Sequence, residues 1–265
     1  MTHWESMGNG SNLVLVHGLG LNRHLWRWQA PALAKRYRVI TYDLIGHGES
    51  GKQPSPHSID DFVTQLRALV DELGLDGFGL VGFSLGGLIA QAFALAHPAH
   101  VRALAILHAA HDRTDAERSA VAARADCAEE HGPKHVVAAA LERWFTPGFA
   151  LQRPDLIAQF RMWIEANDGP SFAAAYRVLA EADSGLAQAI GYIQCPTLVL
   201  TGSKDRGNSP QMAQRMAQLI PNAECHILPG LRHMALVEEP QSTLIPLLSF
   251  LDRTLGKDHP TAEEP

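Results

Sequence analysis

Short apolar runs alternate with longer amphipathic ones over the first hundred residues. Leu13-Val14-Leu15-Val16 stops at His17-Gly18, and Arg38-Val39-Ile40-Thr41-Tyr42 stops at Asp43. Phe78–Phe83 stops at Ser84, and Ala103-Leu104-Ala105-Ile106-Leu107 stops at His108. Runs that are apolar on both faces, separated by helical stretches, predict a parallel sheet covered on both sides. Ser58-Ile59-Asp60-Asp61 opens a helix with Phe62, Leu66, Leu69, Val70 and Leu73 on one face, and Gly74 closes it. The strand signal returns at Pro196-Thr197-Leu198-Val199-Leu200-Thr201 and at Ala223–Leu228, around a helix at about 209–219. A last amphipathic helix covers about 241–255. The expected class is α/β with a mostly parallel sheet.

From about 113 to 190 the alternation fails. That stretch reads as helix after helix, interrupted at Gly132-Pro133, Pro147-Gly148, Pro154 and Gly169-Pro170, with no strand signal. The expected organisation is a core of residues 1–112 and 191–255, an inserted helical module at 113–190, and a polar, disordered tail at 256–265.

Composition narrows the partners. The 265 residues are 46% apolar and 19% charged, ordinary for a globular protein with a sizeable core. A net charge of −6 without a basic run argues against nucleic acid. Cys127, Cys195 and Cys225 are widely spaced, which suggests reduced thiols rather than a disulfide framework or zinc site. The sequence has no signal-peptide pattern at its start and no apolar stretch near the roughly 20 residues of a membrane span, so a cytoplasmic location is expected. Monomer and homodimer are both compatible with it.

The chemistry centres on Gly82-Phe83-Ser84-Leu85-Gly86, which fits the G-x-S-x-G nucleophile elbow. Glycines are needed there because side chains two residues either side of a strained serine would collide. The turn lifts the hydroxyl to the start of the next helix, whose amides favour developing negative charge. The pattern alone is short enough to arise by chance; its strand–turn–helix setting adds weight. Asp205 follows the strand ending at Thr201, and His233 follows the next one. Three strand ends thus supply Ser84, Asp205 and His233 in the order serine, acid, histidine. Taken singly, Asp205 could be a turn residue and His233 a loop histidine. His17-Gly18-Leu19-Gly20, after the first strong strand, can present a backbone N–H to an oxyanion, and Leu19 and Leu85 are the expected amide donors.

Together, His17–Gly20 with Trp26, Asp43-Leu44-Ile45-Gly46-His47-Gly48-Glu49-Ser50, residues 82–87, 202–205 and 230–233 resemble a serine hydrolase of the α/β-hydrolase superfamily, in the subgroup with a helical cap after the sixth family strand. The resemblance implies Ser84 as nucleophile, His233 as base and Asp205 as orienting acid, with no cofactor and a small-molecule substrate. It also implies seven strands, the family's first being missing and its second kept at about 2–7. Within the superfamily, Glu142-Arg143-Trp144-Phe145-Thr146-Pro147-Gly148-Phe149 resembles a shorter stretch of 3-oxoadipate enol-lactonases, although Leu44 and Ile45 stand where that group often has arginine.

The expected reaction is hydrolysis of a small carboxylic ester or lactone through an acyl-enzyme. Amide hydrolysis and carbon–carbon hydrolysis of ring-cleavage products are alternatives, the latter weakened by Phe83 where such enzymes typically have Asn. Haloalkane dehalogenases and epoxide hydrolases need Asp at position 84. A non-catalytic small-molecule receptor on the same fold is the alternative of a different class. His17, Gly18, His108, His111, Trp144 and Phe145 are expected near the pocket. Arg143, Arg161 and Arg177 are candidates for holding a substrate carboxylate. Asp112 rivals Asp205 as the acid, and with His108 and His111 it offers a weak metal pattern. Gly46-His47-Gly48-Glu49-Ser50-Gly51 matches G-x-G-x-x-G, but Lys52-Gln53-Pro54-Ser55-Pro56 follows, and two prolines predict a loop where a dinucleotide site needs a helix.

Overall fold

The computed structural model describes residues 1–52 and 58–256. The proline loop expected at 53–56 and the disorder expected beyond Gly256 lie outside those residues. One sheet runs in the order β1-β3-β2-β4-β5-β6-β7, from β1 (Trp4–Met7), β2 (Ser11–Val16), β3 (Tyr37–Tyr42), β4 (Phe78–Phe83), β5 (Val101–Leu107), β6 (Thr197–Gly202) and β7 (Ala223–Leu228). β1 is antiparallel to β3, and the other neighbours are parallel. β4 and β6 are buried at every position, which explains their unbroken apolar character. β7 lies at the sheet edge and is half-buried for most of its length, and its sequence is correspondingly more polar.

The helices are α1 (Ala30–Leu33), α2 (Ile59–Glu72), α3 (Leu85–Ala96), α4 (Asp115–His131), α5 (Pro133–Trp144), α6 (Pro147–Gln152), α7 (Pro154–Glu165), α8 (Gly169–Ala189), α9 (Pro210–Leu219), α10 (Ala235–Glu238) and α11 (Pro240–Leu255). Capping explains where several begin. Ser58 and Asp61 close a capping box on α2, and Thr114 and Glu117 do so on α4. Proline occupies the first turn of α5 to α8, where its missing N–H costs nothing. α3 packs on β4 and β5, and α11 on β5, β6 and β7.

α4 to α8 follow one another between β5 and β6 and pack among themselves, through α4 against α8 and α5 against α7. Hydrogen bonds tie them to the loops at the sheet's carboxyl edge. Met234 N–H donates to the Trp144 carbonyl at 3.0 Å, and the Asn167 side chain donates to the Gly20 carbonyl at 3.0 Å.

The Asp43 loop is a structural joint. Buried Asp43 accepts bonds from the Arg23 amide (2.7 Å), the Arg23 guanidinium (2.6 Å) and the Glu49 amide (2.9 Å). This pins the loop after β3 to the one after β2. The G-x-G-x-x-G stretch belongs to that joint: Gly46-His47-Gly48-Glu49-Ser50-Gly51 forms turns and no helix.

Candidate functional site

The carboxyl ends of β4, β5, β6 and β7 bring Ser84, His108, Asp205 and His233 together. Ser84 has φ 56° and ψ −116°, a conformation that L-residues rarely adopt. Its neighbours leave no room for anything else. A Cβ on Gly82 would overlap the Gly86 carbonyl, and one on Gly86 would overlap the Val16 and His17 carbonyl oxygens. The turn is held by the Ser84 N–H bond to the Leu107 carbonyl at 2.9 Å. Leu85, first residue of α3, has no acceptor for its N–H within the helix. The Leu19 N–H likewise has no hydrogen-bond partner among the described residues.

Asp205 accepts four hydrogen bonds. Its Oδ1 takes the Gly207 and Asn208 amides at 3.1 Å each, and its Oδ2 takes His233 Nδ1 at 2.7 Å and His108 Nδ1 at 3.0 Å. Burial alone would raise this carboxyl; the electrostatic pull of His233 and the bonds from both histidines hold it well below the usual carboxylate range. With Asp205 ionised, each histidine carries its proton on Nδ1 and donates it. Burial pushes His108 down despite the pull of Asp205, so the ring is neutral at pH 7. The His233 ring packs between Phe83 and Trp144, with centroids 4.9 and 5.9 Å away. His108, Asp205 and His233 offer donor atoms within 4.8 Å of one another, a spacing a metal ion could use, but the Nδ1 atom of each histidine is engaged with Asp205 Oδ2.

Ser84, His233, Leu19 and Trp144 line one cavity of about 160 Å³ roofed by α4, α5 and α8. The other residues expected there lie elsewhere. His17 is fully buried, donating Nδ1–H to the Gly18 carbonyl at 2.8 Å and accepting the Leu44 amide on Nε2 at 3.0 Å. Both of its nitrogens are thus spent on backbone. Gly18 passes behind Ser84, where a Cβ would stand 3.1 Å from the serine Cβ. His108 stands behind Asp205, and buried His111 lies outside the cavity lining. Phe145 stacks on Phe149 and meets Phe160 edge-on in the core of the helical segment. Asp112 is exposed, and the carboxylate that His233 Nδ1 meets is that of Asp205. Arg161 pairs with Glu165, and Arg177 with Asp126 and Glu129, on the surface. Of the three candidate arginines only Arg143 reaches the cavity. Sequence reasoning missed Arg113 and Arg124, which no local motif marks; with Tyr176, one of the aromatics of the helical segment, they line the cavity from the start of that segment and from α8.

An α/β sheet with polar groups gathered at its carboxyl edge, beneath a helical cover, defines the class. The chain is an enzyme of the α/β-hydrolase family, whose model for the alpha/beta hydrolase fold matches residues 12–240. It is 30% identical over 253 residues to an (E)-2-((N-methylformamido)methylene)succinate hydrolase of Acinetobacter baylyi, covering 95% of this chain and 94% of that protein. It is also 30% identical over 230 residues to 3-oxoadipate enol-lactonase 2 of the same organism, covering 87% of this chain and 84% of that one. Among solved structures, the enol-lactonase from Burkholderia xenovorans superposes with a TM-score of 0.89 at 27% identity, over 94% of this chain and 96% of that one. None of the helices among the described residues is long and apolar enough to cross a membrane.

Proposed function

We propose that this chain hydrolyses a small carboxylic ester or lactone through an acyl-enzyme on Ser84, beneath a cap formed by residues 113–190. The observation that carries the reading is the 2.7 Å bond from His233 Nδ1 to buried, ionised Asp205, beside a strained Ser84 that lines the same cavity. Asp205 fixes the tautomer, so Nε2 of His233 is the nitrogen that can accept a proton. In the first step Nε2 takes the Ser84 hydroxyl proton as Oγ bonds to the substrate carbonyl carbon. The Leu19 and Leu85 amides stabilise the resulting oxyanion, each such donor being worth about 3–4 kcal/mol by analogy. Collapse breaks the carbon–oxygen bond to the leaving group, which receives the proton from His233. Water, deprotonated by the same nitrogen, then releases the acid and restores Ser84. The relatives' own names, an enol-lactonase and an N-methylformamido-methylene succinate hydrolase, support a carbonyl substrate.

A fluorophosphonate probe tests this. Labelling should map to Ser84, and Ser84→Ala should abolish both labelling and turnover of a short-chain aryl ester. Wild-type protein that stays unlabelled refutes the reading.

A further inference from the structure

The cavity beside Ser84 carries excess positive charge in a chain whose net charge is −6. Arg113, Arg124, Arg143 and Arg206 line it, against Glu117 and Asp205. Both carboxylates are engaged locally, Glu117 in the α4 capping box and Asp205 with its histidines. Arg113 is matched by buried Asp183, at 2.8 Å from the guanidinium and 3.0 Å from the amide. Arg206 is exposed to water.

Arg124 and Arg143 differ from these. Both are half-buried, and among the described residues neither has a carboxylate in ion-pair contact. Arg124 Nε donates to the Tyr176 hydroxyl at 3.2 Å, and Arg143 donates to the Ala139 carbonyl of its own helix at 2.9 Å. The same phenol lines one cavity with Arg143. Two guanidinium groups, from α4 and α5, therefore line one cavity with a phenol from α8, and their acceptors are hydroxyl and carbonyl oxygens. Burial pushes the Arg143 guanidinium down and the neighbouring Arg124 adds to this, while Tyr176 and the adjacent Glu142 partly offset it. Holding two such cations together without a carboxylate in contact is costly. An anionic ligand removes the cost and finds the forked donors that carboxylates fit.

We propose that Arg124, Arg143 and Tyr176 form a subsite for a free carboxylate on the substrate. The substrate class is then a monoanionic ester or lactone of a short dicarboxylic acid, with its carboxylate under the cap and its scissile carbonyl at Ser84. The position of the scissile bond rests on the hydrolase reading above; the anion subsite does not. A cavity near 160 Å³ limits the chain to a few carbons, since one of about 150 Å³ holds a single benzene ring.

Calorimetric titration of the full chain with glutarate and with 1,5-pentanediol, an uncharged chain of the same length with no scissile bond, tests the subsite without turnover. Glutarate is expected to bind at least about tenfold more tightly than the diol, as a lost charge-assisted bond costs about that factor or more. Arg124→Gln and Arg143→Gln should each remove roughly tenfold of that preference. Arg143→Lys, which keeps the charge but not the fork, should fall between, separating recognition from misfolding. In turnover, the kcat/KM ratio of monomethyl glutarate over dimethyl glutarate should drop in parallel. Glutarate that fails to bind wild-type protein, or binds the Gln variants equally well, overturns the subsite. Arginine-dependent glutarate binding by a protein whose Ser84 resists the fluorophosphonate would keep the subsite and sink the hydrolase reading.

Discussion

Four donors on one carboxylate make Asp205 the residue through which strand ends communicate at the site. If its task is to hold His233 in the Nδ1–H tautomer, an amide that can donate as well as accept should undo it. Asp205→Asn is expected to lower kcat on an aryl ester by about 10⁴, by analogy with tautomer loss in serine enzymes. Asp112→Asn should change it by less than about threefold, because Asp112 is exposed and His233 Nδ1 is already bonded to Asp205. Comparable losses in the two variants would return the acid to the loop after β5. That Ser84, Asp205 and His233 meet at one edge of the sheet can be expected from the sequence because each follows a strand run, so chain order and topology suffice. His108 can be placed near the site on the same ground. Its partner cannot, since no sequence pattern says which ring nitrogen meets which carboxylate. Arg124 and Tyr176 are beyond reach for another reason: they are 52 residues apart, and their meeting depends on how α4 packs against α8.

The strand–turn–helix from β4 through Ser84 into α3 tolerates no added atoms, whereas α8 has slack. A Cβ on Gly86 would have to displace backbone carbonyls of the loop after β2, which cannot rotate away as a side chain would. Gly86→Ala should therefore cost stability at or above the top of the usual overpacking range of about 1–3 kcal/mol. Gly185 is an exposed position inside α8, and a methyl group there would meet nothing within 4 Å. Gly185→Ala should stabilise by about 0.5–1 kcal/mol through the unfolded chain. Urea unfolding of the two variants should shift the midpoint in opposite directions; shifts of one sign would break the argument. Legibility at this scale follows burial. The central strands announce themselves because two-sided burial leaves no polar interruptions. Helices α5 to α8 announce their starts because proline or glycine stands in each first turn. Four-residue α1 and α10 are too short to express a period, so nothing in the hydrophobic pattern marks them.

Across the whole molecule, buried imidazoles fasten the loops that carry the site. His17 joins the end of β2 to the loop after β3, and His108 joins the end of β5 to Asp205 beyond β6. Burial lowers both below their ordinary value, so each is neutral in the folded chain where an unfolded histidine would begin to charge. Below about pH 6.5 the unfolded chain then binds more protons than the folded one, and stability must fall as pH falls. Each ring contributes at most about 1.4 kcal/mol per pH unit, down to its own folded value. Asp205 acts in a different window. Its lowered value gives stability that is fully present above the unfolded carboxylate range near pH 4 and is lost only in stronger acid. The loss between pH 6.5 and 5 therefore belongs to buried histidines. The urea midpoint of the wild-type chain should decline over that interval. His108→Asn, which keeps a donor for Asp205 without a titrating ring, should flatten the decline by up to one proton's worth of slope. A wild-type profile that is level from pH 6.5 to 5, or a His108→Asn profile as steep as the wild type, would contradict the assignment of these rings as neutral fasteners.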